Sequence, residues 1–487
     1  MVHTERLLSG SFAGRMRGDV IVPRDDRYAD VRRSRLVSGS PALVVVPEDV
    51  EDVRTAVRFA QDSGLQIAVR GGGHSFAGFS TTDTGIVIDL SRLGDVAIMD
   101  RRNHLVRVGG GATWGGVSDA LAPAGLALSS GDTRSVGVGG LTLTGGIGWK
   151  VRRRGLTLDS LRSARVVTAD GGILEASADQ NPELFWALRG GGGNFGIVTA
   201  FEFAAHRTTD VHFGKLTFPA TQAAAVLTGW AEYLRRAPRE LTSIANLGNP
   251  QTGGADAPVE LHICWDGDGR EDADRGIEPL RSLGTLLHDD VARRPYASVL
   301  EEGGSLPEGF RIDTRSGFVT AQETAAVLSK LVEFARAGGA PLISIRALGG
   351  GAVADVPNDL TAFGHRSADL MVTTVAAGPT ESVEAGRPAR TAMWSDLDDH
   401  LCGAYANFLD TATAADVRAV YPPATFKRLA EAKRQYDPTN VFALNHNVPP
   451  VDAREQVGQH EEGRPMTRNA GAMPSVGPPV GAGTEPS

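Results

Sequence analysis

His74 is the residue of this chain best placed to do chemistry. It stands in Arg70-Gly71-Gly72-Gly73-His74-Ser75, where the glycines leave its imidazole little side-chain cover. Such a ring can reach a ligand held by the same backbone, as nucleophile, base or covalent anchor. Taken alone it reads more simply as an exposed or structural histidine. The glycines change that balance. Residues 71–73 follow an expected strand, so their N–H groups can converge on an anion, and the missing side chains let a pyrophosphate approach. One such run is a tight turn. Runs at 71–73, 137–148 and 190–196 in one region point to an extended anionic ligand.

Other motifs are excluded. Gly191-x-Gly193-x-x-Gly196 matches the dinucleotide fingerprint as a string. It follows an expected helix and precedes an expected strand, the reverse of what a Rossmann site needs. No P-loop, nucleophile elbow or zinc-binding HExxH occurs. The formal charge of −9 argues against nucleic acid and anionic lipid as partners. The one dense basic run, residues 150–154, reads first as a solvated loop and second as a stretch partly facing the phosphates of a cofactor. Two distant cysteines, Cys264 and Cys402, support neither a metal site nor a disulfide, and fit a reducing cytoplasm. Residues 1–18 lack the apolar core of a signal peptide, and no apolar stretch reaches the roughly 20 residues of a membrane span.

The elements that must position His74 lie in residues 41–206, after an N-terminal segment of residues 1–40. Pro47-Glu48-Asp49 opens a helix carrying Val50, Val53, Val57 and Ala60 at helical spacing, and Gly64 stops it. Strands are expected at 65–70, 85–90, 105–108 and 197–203, a helix at 113–124, and a glycine-rich loop over 137–148. Asp170-Gly171-Gly172 signals a hairpin, and Asn181-Pro182 a helix N-cap followed by proline. Residues 207–399 alternate strands (212–218, 259–265, 342–348, 369–375) with helices (221–235, 272–283, 321–337, 382–394), suggesting a sheet covered by helices. Residues 400–450 are too few to fold alone and are expected to pack back on the first region. Residues 451–487, rich in Pro, Gly, Ala and charge, read as a disordered tail.

In order and combination, several strings resemble the vanillyl-alcohol oxidase superfamily, in particular the berberine bridge enzyme-like FAD-linked oxidases. They are Val69-Arg70-Gly71-Gly72-Gly73-His74-Ser75, Ser135-Val136-Gly137-Val138-Gly139-Gly140-Leu141-Thr142, Gly145-Gly146-Ile147-Gly148-Trp149, and the segment Leu188-Arg189-Gly190 through Gly196-Ile197-Val198. The C-terminal Tyr405-Ala406-Asn407-Phe408, Tyr436-Asp437-Pro438-Thr439-Asn440-Val441-Phe442 and Asn445-His446-Asn447-Val448-Pro449-Pro450 match the family's closing segment. The resemblance implies an α+β fold: a two-part, PCMH-type FAD-binding domain (41–206), a substrate domain with an antiparallel sheet covered by helices (207–399), and a C-terminal segment (400–450) packed on the FAD domain.

The resemblance also implies the chemistry. FAD accepts a hydride at N5 from a small organic substrate (an alcohol, sugar or secondary metabolite), and molecular oxygen reoxidises it. An oxygen-insensitive dehydrogenase or reductase, or a non-catalytic flavin binder, would use the same scaffold. His74 would bond the flavin 8α-methyl. Many plant relatives add a cysteine bond to C6; Thr133 stands there, so a single attachment is expected. Flavin contacts would come from Arg70, Gly71, Gly72, Gly73, Ser75, Gly78, Ser80, Thr133, Ser135, Val136, Gly137, Gly139, Gly140, Gly146, Gly196, Ile197, Val198, Asn445 and Asn447. One group of relatives places its base tyrosine where this chain has Phe408, so Tyr405 is the candidate, with packing against the flavin as its other role. His365 is a further candidate, with a surface position expected. His446, where the family more often has Gln, would donate a hydrogen bond or titrate near the ring, or simply fill a domain junction.

Overall fold

The computed structural model describes residues 12–450, apart from 209, 249–256 and 338–340. The tail expected over 451–487 lies outside the described residues. Two small sheets, beside a two-stranded pairing of Leu126–Ala127 with His206–Arg207, form the first region. In one, the strands Leu43–Val46, Ile86–Asp89 and Ile67–Arg70 run parallel, with Asp19–Ile21 antiparallel at the edge. Apolar, β-branched runs such as Leu43-Val44-Val45-Val46 suit a parallel sheet covered on both faces. The helix Val50–Asp62 supplies one cover, burying Val53, Ala56, Val57 and Ala60. Its start is doubly held. Asp49 accepts from the Asp52 N–H at 3.0 Å, and Asp52 accepts from the N–H groups of Arg17, Gly18 and Glu48.

The second sheet is five-stranded and antiparallel, in the order Val96–Asp100, Leu105–Gly109, Ile197–Ala204, Leu161–Val167, Ile173–Ser177. The last two strands flank the turn at Gly171 and Gly172, as the hairpin signal requires. The helix Pro182–Leu188 starts at its proline, but Asn181 does not cap it. Asn181 sits at φ 50° and its amide donates instead to the Glu175 carbonyl, back on the hairpin.

Residues 210–403 build a nine-stranded antiparallel sheet. Beyond the expected strands it contains Leu241–Leu247 and Phe310–Val319, the latter too polar to show in a hydrophobic pattern. The helices Ala223–Arg236, Arg270–Arg281, Thr324–Arg336 and Arg387–Leu397 cover one face around Leu216, Trp230, Leu261 and Ile345. The other face meets the first region. There Ile244 and Cys264 pack with Ala127 and Trp149, and Phe318 and Met371 pack with Ile147 and Val151. The helix Pro423–Tyr436 returns to the first region beside Pro182–Leu188, with Arg428 paired to Glu183. Among the described residues no helix is long and apolar enough to cross a membrane.

Two expectations for residues 137–154 are overturned. The glycine-rich stretch is not all loop: Val138–Thr144 is helical, because Val138, Thr142 and Leu143 share one buried face. The basic run is not a solvated loop either. Lys150 and Arg152 are both 0% exposed. Lys150 donates to Asp266 and, at 3.0 Å, to Thr208, with its ammonium 4.1 Å above the Tyr296 ring. Arg152 donates to the carbonyls of Pro238, Leu241 and Gly349. The charges serve as cross-links from the first region into the large sheet, and partners distant in sequence leave no local signal.

A buried cation robbed of its partner is costly, on the order of 3–5 kcal/mol. Asp266→Asn is therefore expected to lower the urea midpoint of unfolding by a corresponding amount. A midpoint equal to wild type would show that Lys150 does not depend on this pair.

Candidate functional site

A cavity opens where the two small sheets and the C-terminal segment meet, and glycine backbones form its walls. A Cβ on Gly72 would lie 2.2 Å from the Gly137 nitrogen, and one on Gly137 would lie 2.2 Å from the Gly72 nitrogen. The two loops therefore touch backbone to backbone. Gly139 approaches the Gly110 carbonyl in the same way, with 3.3 Å to its own virtual Cβ, while Gly140 has open space in front of it. The rest of the wall is largely apolar, including Ile67, Val69, Leu141, Ile147, Phe76 and Phe408.

His74 lines this cavity. Its Nε2 lies 2.9 Å from the Ser135 hydroxyl. Burial, helped by the positive charge of Arg35, pushes its pKa down to about 4, so the ring is neutral at physiological pH. Thr133 lines the wall as well, and its hydroxyl donates to Asp132 at 3.0 Å. Asp132 in turn pairs with Arg346 of the large sheet at 2.8 Å.

Tyr405 closes the opposite side and is 2% exposed. Its phenol oxygen accepts from the Gly146 N–H at 3.0 Å and from the Asn407 amide at 2.8 Å. Burial raises its pKa above the ordinary tyrosine value, and these donors oppose the rise. Gly146 must be glycine: it sits at φ 88°, and a Cβ there would meet the Thr157 hydroxyl at 2.1 Å. His365 is not on the surface. Its ring is buried beneath Gly403, stacked 5.0 Å from Phe318, with Nε2 3.0 Å from the Val420 carbonyl.

The C-terminal rim is held by a buried latch. Lys433 and Asp437, both 0% exposed, pair at 2.6 Å; Lys433 also donates to the Asn194 and Phe442 carbonyls, and Asp437 accepts from the Val441 and Phe442 N–H groups. This places Asn445 on the cavity wall, while Asn447 does not line it. Each has a buried amide oxygen with no partner among the described residues. His446 lines the wall but turns its Nε2 to the Thr411 carbonyl at 3.1 Å, and burial lowers its pKa, so it braces the rim as a neutral ring.

The structure thus brings Gly71, Gly72, Gly73, His74, Ser75, Ser80, Thr133, Val136, Gly137, Gly139, Gly140, Gly196, Ile197, Val198, Tyr405 and Asn445 to one cavity. Arg70, Gly78, Ser135, Gly146 and Asn447 are not on its wall. Arg70 points back, donating to Asp89 and to the carbonyls of Ser80 and Val31, so it anchors the loop from behind. Gly78 makes the turn closed by its N–H to Ser75. Ser135 backs His74, and Gly146 backs Tyr405. The sequence reading missed Gly110, Phe76, Asn407 and the Lys433–Asp437 latch. Gly110 had a signal, since residues 109–111 are a further glycine run; the latch shows only as an i,i+4 pair.

Fold and site together define an FAD-linked oxidoreductase. Residues 41–177 match the FAD binding domain family and residues 404–449 the berberine and berberine-like family. The chain is 32% identical over 466 residues to (R)-6-hydroxynicotine oxidase of Paenarthrobacter nicotinovorans, covering 89% of this chain and 97% of that protein. It is 29% identical to the glucooligosaccharide oxidase of Sarocladium strictum, over 85% of this chain and 88% of the relative. The crystal structure of 6-hydroxy-D-nicotine oxidase from Arthrobacter nicotinovorans superposes with a TM-score of 0.80 at 29% identity, covering 91% of this chain and all of the other. The chain belongs to this family of FAD-dependent, berberine bridge enzyme-like oxidases.

The close approach of residues 72 and 137 makes a direct prediction. Gly137→Ala places a methyl against backbone that cannot yield, so the variant is expected to purify without bound flavin. Wild-type yellow colour and flavin content in that variant would refute the packing argument.

Proposed function

We propose that this chain holds one FAD covalently through His74 alone and oxidises a small organic substrate, with dioxygen as electron acceptor. The observation that carries the reading is the placement of His74: a neutral imidazole on the wall of a glycine-walled cavity, with Thr133 where a second link would start. The cavity fits the cofactor. Backbones meet without side chains where a pyrophosphate needs close approach, apolar side chains line the room for a ring, and the unpartnered amide oxygen of Asn445 on the wall suits its N–H edge. Relatives named as hydroxynicotine and glucooligosaccharide oxidases favour oxidase chemistry and support substrates as varied as alcohols, sugars and secondary metabolites.

Bound FAD supplies two-electron hydride acceptance. The chain's own residues do the rest. Phe76 and Phe408, stacked at 5.8 Å, exclude water beside Tyr405. Tyr405 handles the substrate proton. Its oxygen already accepts two N–H bonds, which stabilise a phenolate once the proton has left, while burial keeps the phenol protonated at neutral pH. Because its pKa lies above the ordinary value, the reactive phenolate fraction grows as pH rises.

Acid-precipitated protein is expected to stay yellow, and His74→Ala to release the colour into the supernatant; a colourless wild-type pellet refutes covalent attachment. Substrate turnover is expected to form peroxide. Turnover with an artificial acceptor alone would mark a dehydrogenase, and no flavin reduction by any substrate would mark a non-catalytic binder. Tyr405→Phe should slow anaerobic flavin reduction roughly 10²–10⁴-fold at unchanged flavin content. In the wild type that rate should rise from about pH 6 to about pH 9. A flat profile, or a Tyr405→Phe rate near wild type, rules Tyr405 out as the base.

A further inference from the structure

We infer that Ser135 is a positioning residue for the flavin link: its hydroxyl sets the tautomer of His74 and leaves Nδ1 as the ring nitrogen that bonds the cofactor. The inference rests on the covalent reading above and assigns the side chain that positions the linking histidine. His74 Nε2 lies 2.9 Å from Ser135 Oγ, and Nδ1 makes no hydrogen bond with the described residues. Ser135 Oγ also donates to the Gly303 carbonyl, 3.4 Å away. A serine hydroxyl has one proton. With that proton directed to Gly303, the oxygen is an acceptor toward His74, and only Nε2–H satisfies it. A neutral imidazole carries one N–H, so Nδ1 keeps its lone pair.

The contact with Gly303 is built in. Arg134 donates its N–H to the Glu301 carbonyl and Glu301 donates its own to the Asp132 carbonyl, both at 2.8 Å, so residues 301–303 lie strapped along residues 132–135. A Cβ on Gly303 would stand 2.2 Å from Ser135 Oγ, 2.7 Å from Thr133 Cγ2 and 3.1 Å from His74 Cε1. A strap of residues 301–303 thus holds the Gly303 carbonyl 3.4 Å from the hydroxyl that contacts the histidine. Burial keeps the ring uncharged, so the lone pair is available.

The bond then forms with a defined balance. The Nδ1 lone pair makes the new C–N bond to the ring methyl, and one C–H bond of that methyl breaks. The Nε2 proton leaves from the side held by Ser135. The two electrons and two protons pass to dioxygen as oxidant, giving hydrogen peroxide. Afterwards Nε2 carries a lone pair and needs a donor. A hydroxyl can reverse its role from acceptor to donor; a methyl can do neither.

The test uses flavin-free protein from riboflavin-depleted cells, mixed with FAD in air. Acid-stable flavin is followed over time, initial non-covalent affinity is read from fluorescence quenching, and the flavopeptide is mapped for the linked nitrogen. Wild type is expected to give one Nδ1-linked product. Ser135→Ala should bind FAD within about twofold of wild type yet link roughly 3- to 10-fold more slowly, the scale of a lost hydrogen bond between neutral groups, and should yield some Nε2-linked peptide. Ser135→Thr, which keeps the hydroxyl, should restore rate and single product. A Ser135→Ala protein that links at the wild-type rate to one nitrogen overturns the inference. So does a Ser135→Thr protein as slow as Ser135→Ala, or a loss of non-covalent affinity that accounts for the slow linking. If wild type itself forms no acid-stable flavin, the covalent reading falls first, which separates the two failures.

Discussion

The constraint on which this structure turns is a contact between two backbones, at Gly72 and Gly137. Each occupies the space a side chain of the other would need. That contact joins the turn after the parallel sheet to the turn before the short helix Val138–Thr144. It brings His74, from the first turn, within hydrogen-bond distance of Ser135, from the second. Remove the close approach and His74 loses both its partner and its place on the cavity wall.

Around this centre, charge works as a fastener. Lys150 and Arg152 reach from the first region into the large sheet, and Lys433 with Asp437 pins the C-terminal segment across Asn194. All are buried, and all are satisfied by several partners, which is the condition under which buried charge is tolerated. The two fastenings hold different sides of the cavity: one sets the sheet that carries Arg346 toward Asp132, the other sets Asn445. Neighbouring Tyr405 belongs to the same closure, since its oxygen is held by a residue of the first region and one of the C-terminal segment.

Much of this is legible in the sequence. The glycine runs, the helix after Pro47, the hairpin at Asp170 and the order of the family strings are local signals. They need only propensity, spacing and turn chemistry. What failed was local logic applied to residues whose partners are remote. The basic run at 150–154 looked solvated because its acceptors, Asp266, Pro238, Leu241 and Gly349, lie more than 80 positions away. His365 looked superficial because Gly403, which makes room for its ring, lies far along the chain, on the strand Leu401–Gly403. The strand Phe310–Val319 was hidden by its polar residues, among them Ser316, whose hydroxyl accepts from the Tyr405 N–H.

The sequence by itself determined the kind of site, a histidine among glycines able to accept an extended cofactor, while Thr133 and the closing segment with Tyr405, Asn445 and Asn447 entered only through the family resemblance. Residue type and spacing suffice for that, because glycine is the one residue that lets backbones touch. The tertiary structure decided which atoms face which. It turned Arg70 and His446 away to brace loops, set Ser135 behind His74, and aimed the Gly146 N–H at Tyr405. Those roles depend on the direction of a hydrogen bond between segments far apart in the chain. Direction is a property of packed coordinates, and no local pattern encodes it.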